Sequence, residues 1–123
     1  MLGTVALRCI IVDDNVGFLG AARDVLERQG IAVVGTASTT AEAVALAQEV
    51  MPDLALVDID LGEESGFDVA RRLTEEKGNE DLRLVLISAY AESDFADLIA
   101  ASPVVGFLSK PDLSANAIHE LLG

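Results

Sequence analysis

Cations are scarce in this chain. Only 8 Lys and Arg stand against 21 Asp and Glu, a formal net charge of −13. A surface for nucleic acid needs clustered Lys and Arg to meet phosphates, so the charge argues against one here. The same excess suits a cation site, because a bound metal offsets carboxylates that would otherwise repel. Cysteine is almost absent: Cys9 is the only one, so no internal disulfide can form. It sits in an apolar run and reads as a small core residue. The opening MLGTVALR has no basic stretch and no long apolar stretch, so no signal peptide is read. No apolar run approaches the roughly 18 residues of a membrane span. A cytoplasmic location is therefore expected. No repeat, low-complexity segment or linker is found.

What is present is an ordinary globular balance, 51% hydrophobic and 24% charged. A chain of 123 residues is long enough for one domain with one core. Residues 1–123 are read as that domain, either free-standing or part of something longer.

Apolar runs and helical patterns alternate. Residues 7–12 form a first strand ending at Asp13-Asp14. Asn15 caps a helix whose apolar positions are Val16, Leu19, Ala22, Val25 and Leu26, and Gly30 ends it. Residues 31–36 are a second strand, and Thr39-x-x-Glu42 is a capping box for a second helix, which Pro52 closes. Residues 54–57 run straight into Asp58, a third strand followed by a loop with Gly62 and Gly66. A third helix covers 67–77, with Phe67, Ala70 and Leu73 on one face, and Gly78-Asn79 breaks it. Residues 83–88 are a fourth strand, and Ser93 caps a fourth helix reaching about residue 101. Residues 104–109 are a fifth strand, ending at Lys110-Pro111. Ser114 caps a last helix with Ala117, Ile118, Leu121 and Leu122 apolar. Strict alternation of five strands and five helices predicts an α/β fold, a single five-stranded parallel sheet with helices on both faces.

Ligands of such sheets bind beyond the carboxyl ends of the strands. Asp13, Asp14, Asp58, Ser88 and Lys110 all fall there. Each has a plain alternative. Asp13-Asp14 could favour a helix N-terminus, Asp58 and Asp60 could be turn residues, Ser88 could satisfy a loop amide, and Lys110 could lie along apolar surface with its charge in water. Together they point to a site, because facing carboxylates repel unless a cation or base separates them. Asp13, Asp14 and Asp58 offer the oxygen ligands that Mg²⁺ takes. A hard cation, a lysine and a hydroxyl can hold the three oxygens of a phosphoryl group. Asp58 can then act as the nucleophile.

The segments IIVDDN, LALVDIDLGEESG, LVLISA and GFLSKP, in this order, resemble a response-regulator receiver domain of two-component signalling, over essentially the whole chain. The resemblance implies a flavodoxin-like (βα)5 fold with strand order 2-1-3-4-5. It implies Asp58 as phosphoacceptor from a sensor histidine kinase or phosphotransfer protein. Mg²⁺, or Mn²⁺ in its place, would be bound by Asp14 directly, by Asp13 through water, by Asp58, and by the Asp60 backbone carbonyl. Ser88 would be the switch hydroxyl, Phe107 the aromatic switch residue, and Lys110 the phosphoryl clamp, its bond to Pro111 commonly cis. Asp60 and Tyr90 would tune phosphate lifetime, Tyr90 by hindering water. No turnover enzyme is implied beyond phosphorylation and loss of phosphate at one aspartate. The surface of helix four, strand five and helix five would switch, controlling an output domain or a partner, with homodimerisation through it as one form. Phe107 also reads as core packing, His119 as a last-turn helix residue, and Glu63-Glu64 as a solvated loop face.

Two rivals use the same residues. A pseudo-receiver would act through its helix faces without phosphate, but such modules usually lose an acidic or lysine position. A haloacid-dehalogenase-type phosphatase also has Asp-x-Asp, then Ser or Thr, then Lys, but places its second acidic pair late, whereas Asp13-Asp14 comes first here.

Overall fold

The computed structural model describes residues 6–123. Residues 1–5, which open both the domain as read and the stretch read as free of a signal peptide, lie outside the described residues. Five strands form one parallel sheet: β1 (Arg8–Val12), β2 (Ala32–Ala37), β3 (Leu54–Asp58), β6 (Arg83–Ser88) and β7 (Gly106–Ser109). Their order is β2-β1-β3-β6-β7, the 2-1-3-4-5 arrangement expected from the resemblance. Between β3 and β6 the chain adds a two-residue antiparallel pair, β4 (Asp60–Leu61) and β5 (Glu64–Ser65), inside the segment expected to be plain loop. The helices are α1 (Val16–Arg28), α2 (Thr40–Val50), α3 (Gly66–Glu75), α4 (Ala96–Ala100) and α5 (Ala115–Leu122).

The strands are apolar on both sides because both sides are covered. Successive side chains alternate between faces. Ile10, Val12, Ala55, Val57, Leu84 and Leu86 pack with Ala43 and Ala47 of α2 and with Val69, Ala70 and Leu73 of α3. Cys9, Ile11, Leu54, Leu56, Val85 and Ile87 pack with Leu19, Ala22 and Leu26 of α1 and Ile118 of α5. All five residues of β3 are buried. Burial pushes the Cys9 thiol up to about 12, so it stays protonated and inert.

The caps at three helices form as expected. The side chain of Asn15 accepts from the Phe18 amide, that of Thr39 from Glu42, and that of Ser114 from Ala117. The capping box closes one residue early, with Glu42 accepting from the Ser38 amide at 2.8 Å. Three expectations need correction. Val16 is 78% exposed at the first position of α1 and takes no part in the core. Ser93 caps nothing: a 3-10 turn over Glu92–Phe95 leads into a five-residue α4 whose cap position is Phe95. The last strand begins at Gly106 and not at residue 104, leaving Val105 exposed. Glu63 and Glu64 are exposed, as read, and the Glu64 carboxylate also accepts from the amide and hydroxyl of Thr40, both at 2.6 Å, which lowers its pKa. That bond ties the loop after β3 to the first turn of α2. His119 lies exposed in the last turn of α5.

Candidate functional site

Strand register assembles the site. Val12 pairs with Val57, so the next residues, Asp13 and Asp58, stand side by side at the carboxyl edge. Asp58 is level with Ile87, which puts Ser88 one step further out. Ser88 pairs with Ser109, and Lys110 follows. Three buried polar residues, Asp13, Asp58 and Ser88, end three adjacent strands.

Lys110 joins the carboxylates. Its Nζ lies 2.7 Å from Asp13 Oδ2 and 2.8 Å from Asp58 Oδ2. The other oxygens are tied to the backbone: Asp13 Oδ1 accepts the Asn15 amide at 2.9 Å, and Asp58 Oδ1 accepts the Asp60 amide at 3.0 Å. Burial raises the Asp58 carboxyl above its ordinary range; the bonds from Lys110 and the Asp60 amide pull against this, and the charge of Asp13 adds to it. Burial pulls Lys110 down, but its bonds to Asp13 and Asp58 outweigh that, so its net shift is upward and it stays an ammonium.

Asp14 is exposed, yet oxygens of Asp13, Asp14 and Asp58 lie within 4.8 Å of one another. Asp13 Oδ2 is fully buried, with the Lys110 ammonium 2.7 Å away as its ion-pair partner. Three carboxylates and one ammonium leave two negative charges. An all-oxygen donor set and a surplus of two negative charges fit a hard divalent cation such as Mg²⁺.

A cleft of about 190 Å³ opens beside these groups, lined by Asp14, Asp58, Asp60, Ser88, Tyr90 and Lys110. Ser88 Oγ accepts the Tyr90 amide at 2.9 Å. Tyr90 is 60% exposed and meets Phe95 edge-on. The Asp60 side chain is turned to its own loop, accepting the Gly62 amide at 3.1 Å. Phe107 is buried in the core on the α2–α3 side, consistent with its packing reading. No peptide bond among the described residues is cis, including Lys110–Pro111, contrary to the form expected there.

Two residues at the site were given no site role in the sequence, where Gly66 was read only as a loop glycine. Gly66 passes so close beneath Asp58 that a Cβ there would fall on the Asp58 carbonyl oxygen. Phe18 lies with its ring centroid 4.3 Å from Lys110 Nζ. No local pattern signals this contact, whose partners lie on α1 and just after β7.

Known proteins resemble this chain in sequence and fold. The family model of the response regulator receiver domain matches residues 9–122. The photosynthetic apparatus regulatory protein RegA of Cereibacter sphaeroides is 33% identical over 113 residues, covering 92% of this chain and 60% of RegA. The polar-differentiation response regulator DivK of Brucella ovis is 32% identical, covering 83% of this chain and 82% of DivK. A relative from Pseudomonas aeruginosa is matched over 49% of its length, so the chain spans only about half to three-fifths of RegA and of this relative. Among solved structures, a Burkholderia pseudomallei response regulator that carries a phosphorylated aspartic acid, calcium ion and citrate superposes with a TM-score of 0.80 at 28% identity, covering 95% of this chain and 66% of that one. The receiver domain of NarL from Mycobacterium tuberculosis gives 0.80 at 26% identity, covering 97% and 95%.

Proposed function

Because the chain belongs to the response regulator receiver domain family of two-component systems, we propose that it takes a phosphoryl group onto Asp58 from the phosphohistidine of a sensor kinase or phosphotransfer protein. The observation that carries this is Lys110 bridging the buried carboxylates of Asp13 and Asp58 at a shared strand edge. An Asp58 oxygen attacks phosphorus, the phosphorus–nitrogen bond breaks, and the imidazole leaves with the electron pair. Lys110 holds one phosphoryl oxygen, and the Ser88 hydroxyl donates to another. Mg²⁺ would be held by Asp14, by Asp13 through water, by Asp58 and by the Asp60 carbonyl, and would supply positive charge to offset that of the phosphoryl oxygens. Mn²⁺ offers the same charge and suits the same ligands.

Ser88 turning inward vacates space that Phe107 fills, and this shifts the populations of the α4, β7 and α5 surface. That surface controls an output domain or a partner, with a second copy of the chain as one partner. Asp60 and Tyr90 border the cleft and set how readily water reaches the phosphoryl group. The net charge of −13 leaves nucleic-acid contact to other segments or partners. No helix among the described residues is long and apolar enough to cross a membrane.

Labelling with acetyl phosphate and Mg²⁺, followed by intact mass and peptide mapping, tests the reading. One phosphoryl group should appear on Asp58, vanish in D58N and vanish with chelator; label persisting on an aspartate of D58N would refute the assignment. In the same assay Tyr90→Ala should lose phosphate faster than wild type, and an unchanged or slower rate removes Tyr90 from lifetime control.

A further inference from the structure

The Lys110 ammonium has three close neighbours. Two are carboxylate oxygens, Asp13 Oδ2 at 2.7 Å and Asp58 Oδ2 at 2.8 Å. The third is the Phe18 ring, its centroid 4.3 Å away. The face of an aromatic ring is electron-rich and attracts a cation within about 6 Å. Phe18 is fixed independently of that attraction. Its amide donates to Asn15 Oδ1 at 3.0 Å, locking the first turn of α1. Its side chain packs against the core on the α1–α5 side and shares a groove with Val25, Lys110, Pro111 and Leu113.

We propose that Phe18 is a positioning residue for the phosphoryl site, and that its ring face, not its bulk, keeps the Lys110 ammonium aimed at Asp58. The proposal rests on the phosphotransfer reading above and extends it to α1. Lysine carries its charge on a flexible four-carbon stem, so two carboxylates on one side leave its direction underdetermined. When an Asp58 oxygen bonds to phosphorus, negative charge moves outward onto the phosphoryl oxygens and the ammonium must turn to follow. A ring face is attractive without demanding one hydrogen-bond direction, so the ammonium can turn without leaving. An aliphatic side chain of similar volume would fill the groove but offer no attraction, and water would compete for the cation. Lys110 is only 17% exposed, so the contact is largely desolvated. At such sites a cation–ring contact corresponds to roughly a five- to thirtyfold effect.

The test compares initial labelling rates with acetyl phosphate and Mg²⁺ in the full chain. F18L and F18M should label roughly five- to thirtyfold more slowly than wild type, while F18Y should recover most of the rate. Thermal midpoints should be close to wild type in all variants that fold. Equal rates for wild type and either aliphatic variant overturn the proposal, as does a slow F18Y with an unchanged midpoint. If wild type takes no label, the phosphotransfer reading fails, and the contact is then judged separately by NMR. An upfield ring-current shift of the Lys110 ε-methylene protons supports the contact, and its absence in wild type overturns it, whether or not the aliphatic variants fold.

Discussion

Asp58 carries a cost that its neighbours only partly offset. Burial lifts its carboxyl above the ordinary value near 3.8, with Lys110 and the Asp60 amide pulling the other way. An acid whose folded value lies above its unfolded one contributes stability below about pH 3.8 and loses it as pH rises through the raised value. Near neutrality the metal-free fold therefore bears an ionised buried acid beside Asp13. Asp58→Asn should be more stable than wild type in chelator at about pH 7. The gap should narrow toward about pH 4, where the wild-type acid is increasingly protonated. Urea denaturation at both pH values measures this, and a gap that stays constant or reverses sign would contradict the burial argument. The strand-end residues Asp13, Asp14, Asp58, Ser88 and Lys110 were legible in the sequence, since each follows an apolar run. Their contacts were not. That Lys110 touches both carboxylates depends on pairing among β1, β3, β6 and β7, which no local pattern records.

Among the elements, the loop between β3 and α3 is the most tightly specified. The Gly66 amide donates to the Ile59 carbonyl at 2.7 Å, and a Cβ would come within 2.8 Å of the Ile59 Cα, besides striking the Asp58 carbonyl. Backbone on that side cannot move aside as a flexible side chain can. Gly66→Ala should therefore cost about 1–3 kcal/mol, as overpacking does, and should also slow acetyl phosphate labelling, because Asp58 itself is displaced. Denaturant midpoints with labelling rates check both, and a fully stable, fully labelled variant would show that the loop tolerates the methyl. The buried strands were readable because runs of four apolar residues, as at 9–12, 54–57 and 84–87, bounded by polar residues, have few other homes. The β4–β5 pair was not, since two residues per strand make no pattern. Neither was the Glu64–Thr40 bond, whose partners are 24 residues apart. At α4, Ser93 offered a plausible cap, but the chain uses a 3-10 turn first and no side chain caps either piece.

Over the whole molecule, a net charge of −13 works against compaction, and monovalent salt screens only part of it. A cation bound at the strand edge acts differently, by adding binding energy to the folded state alone. MgCl₂ at about 100 times its dissociation constant should stabilise the chain by about 2.7 kcal/mol, beyond NaCl at matched ionic strength. In a variant combining Asp13→Asn with Asp58→Asn the two salts should act alike. Thermal unfolding in the two salts decides this, and equal effects on wild type would deny specific Mg²⁺ binding.

Rigidity is distributed unevenly along this path. Asp58 ends β3, a strand flanked by β1 and β6 and buried along its whole length, so its amides should exchange with solvent only when the entire fold opens. The five residues of α4 include none that is buried, and such a segment opens at little cost. A phosphoryl group on Asp58 would thus be recorded at the stiffest point of the molecule and expressed at one of its softest. A small disturbance in the strand would then appear as a large change in how often α4 is formed.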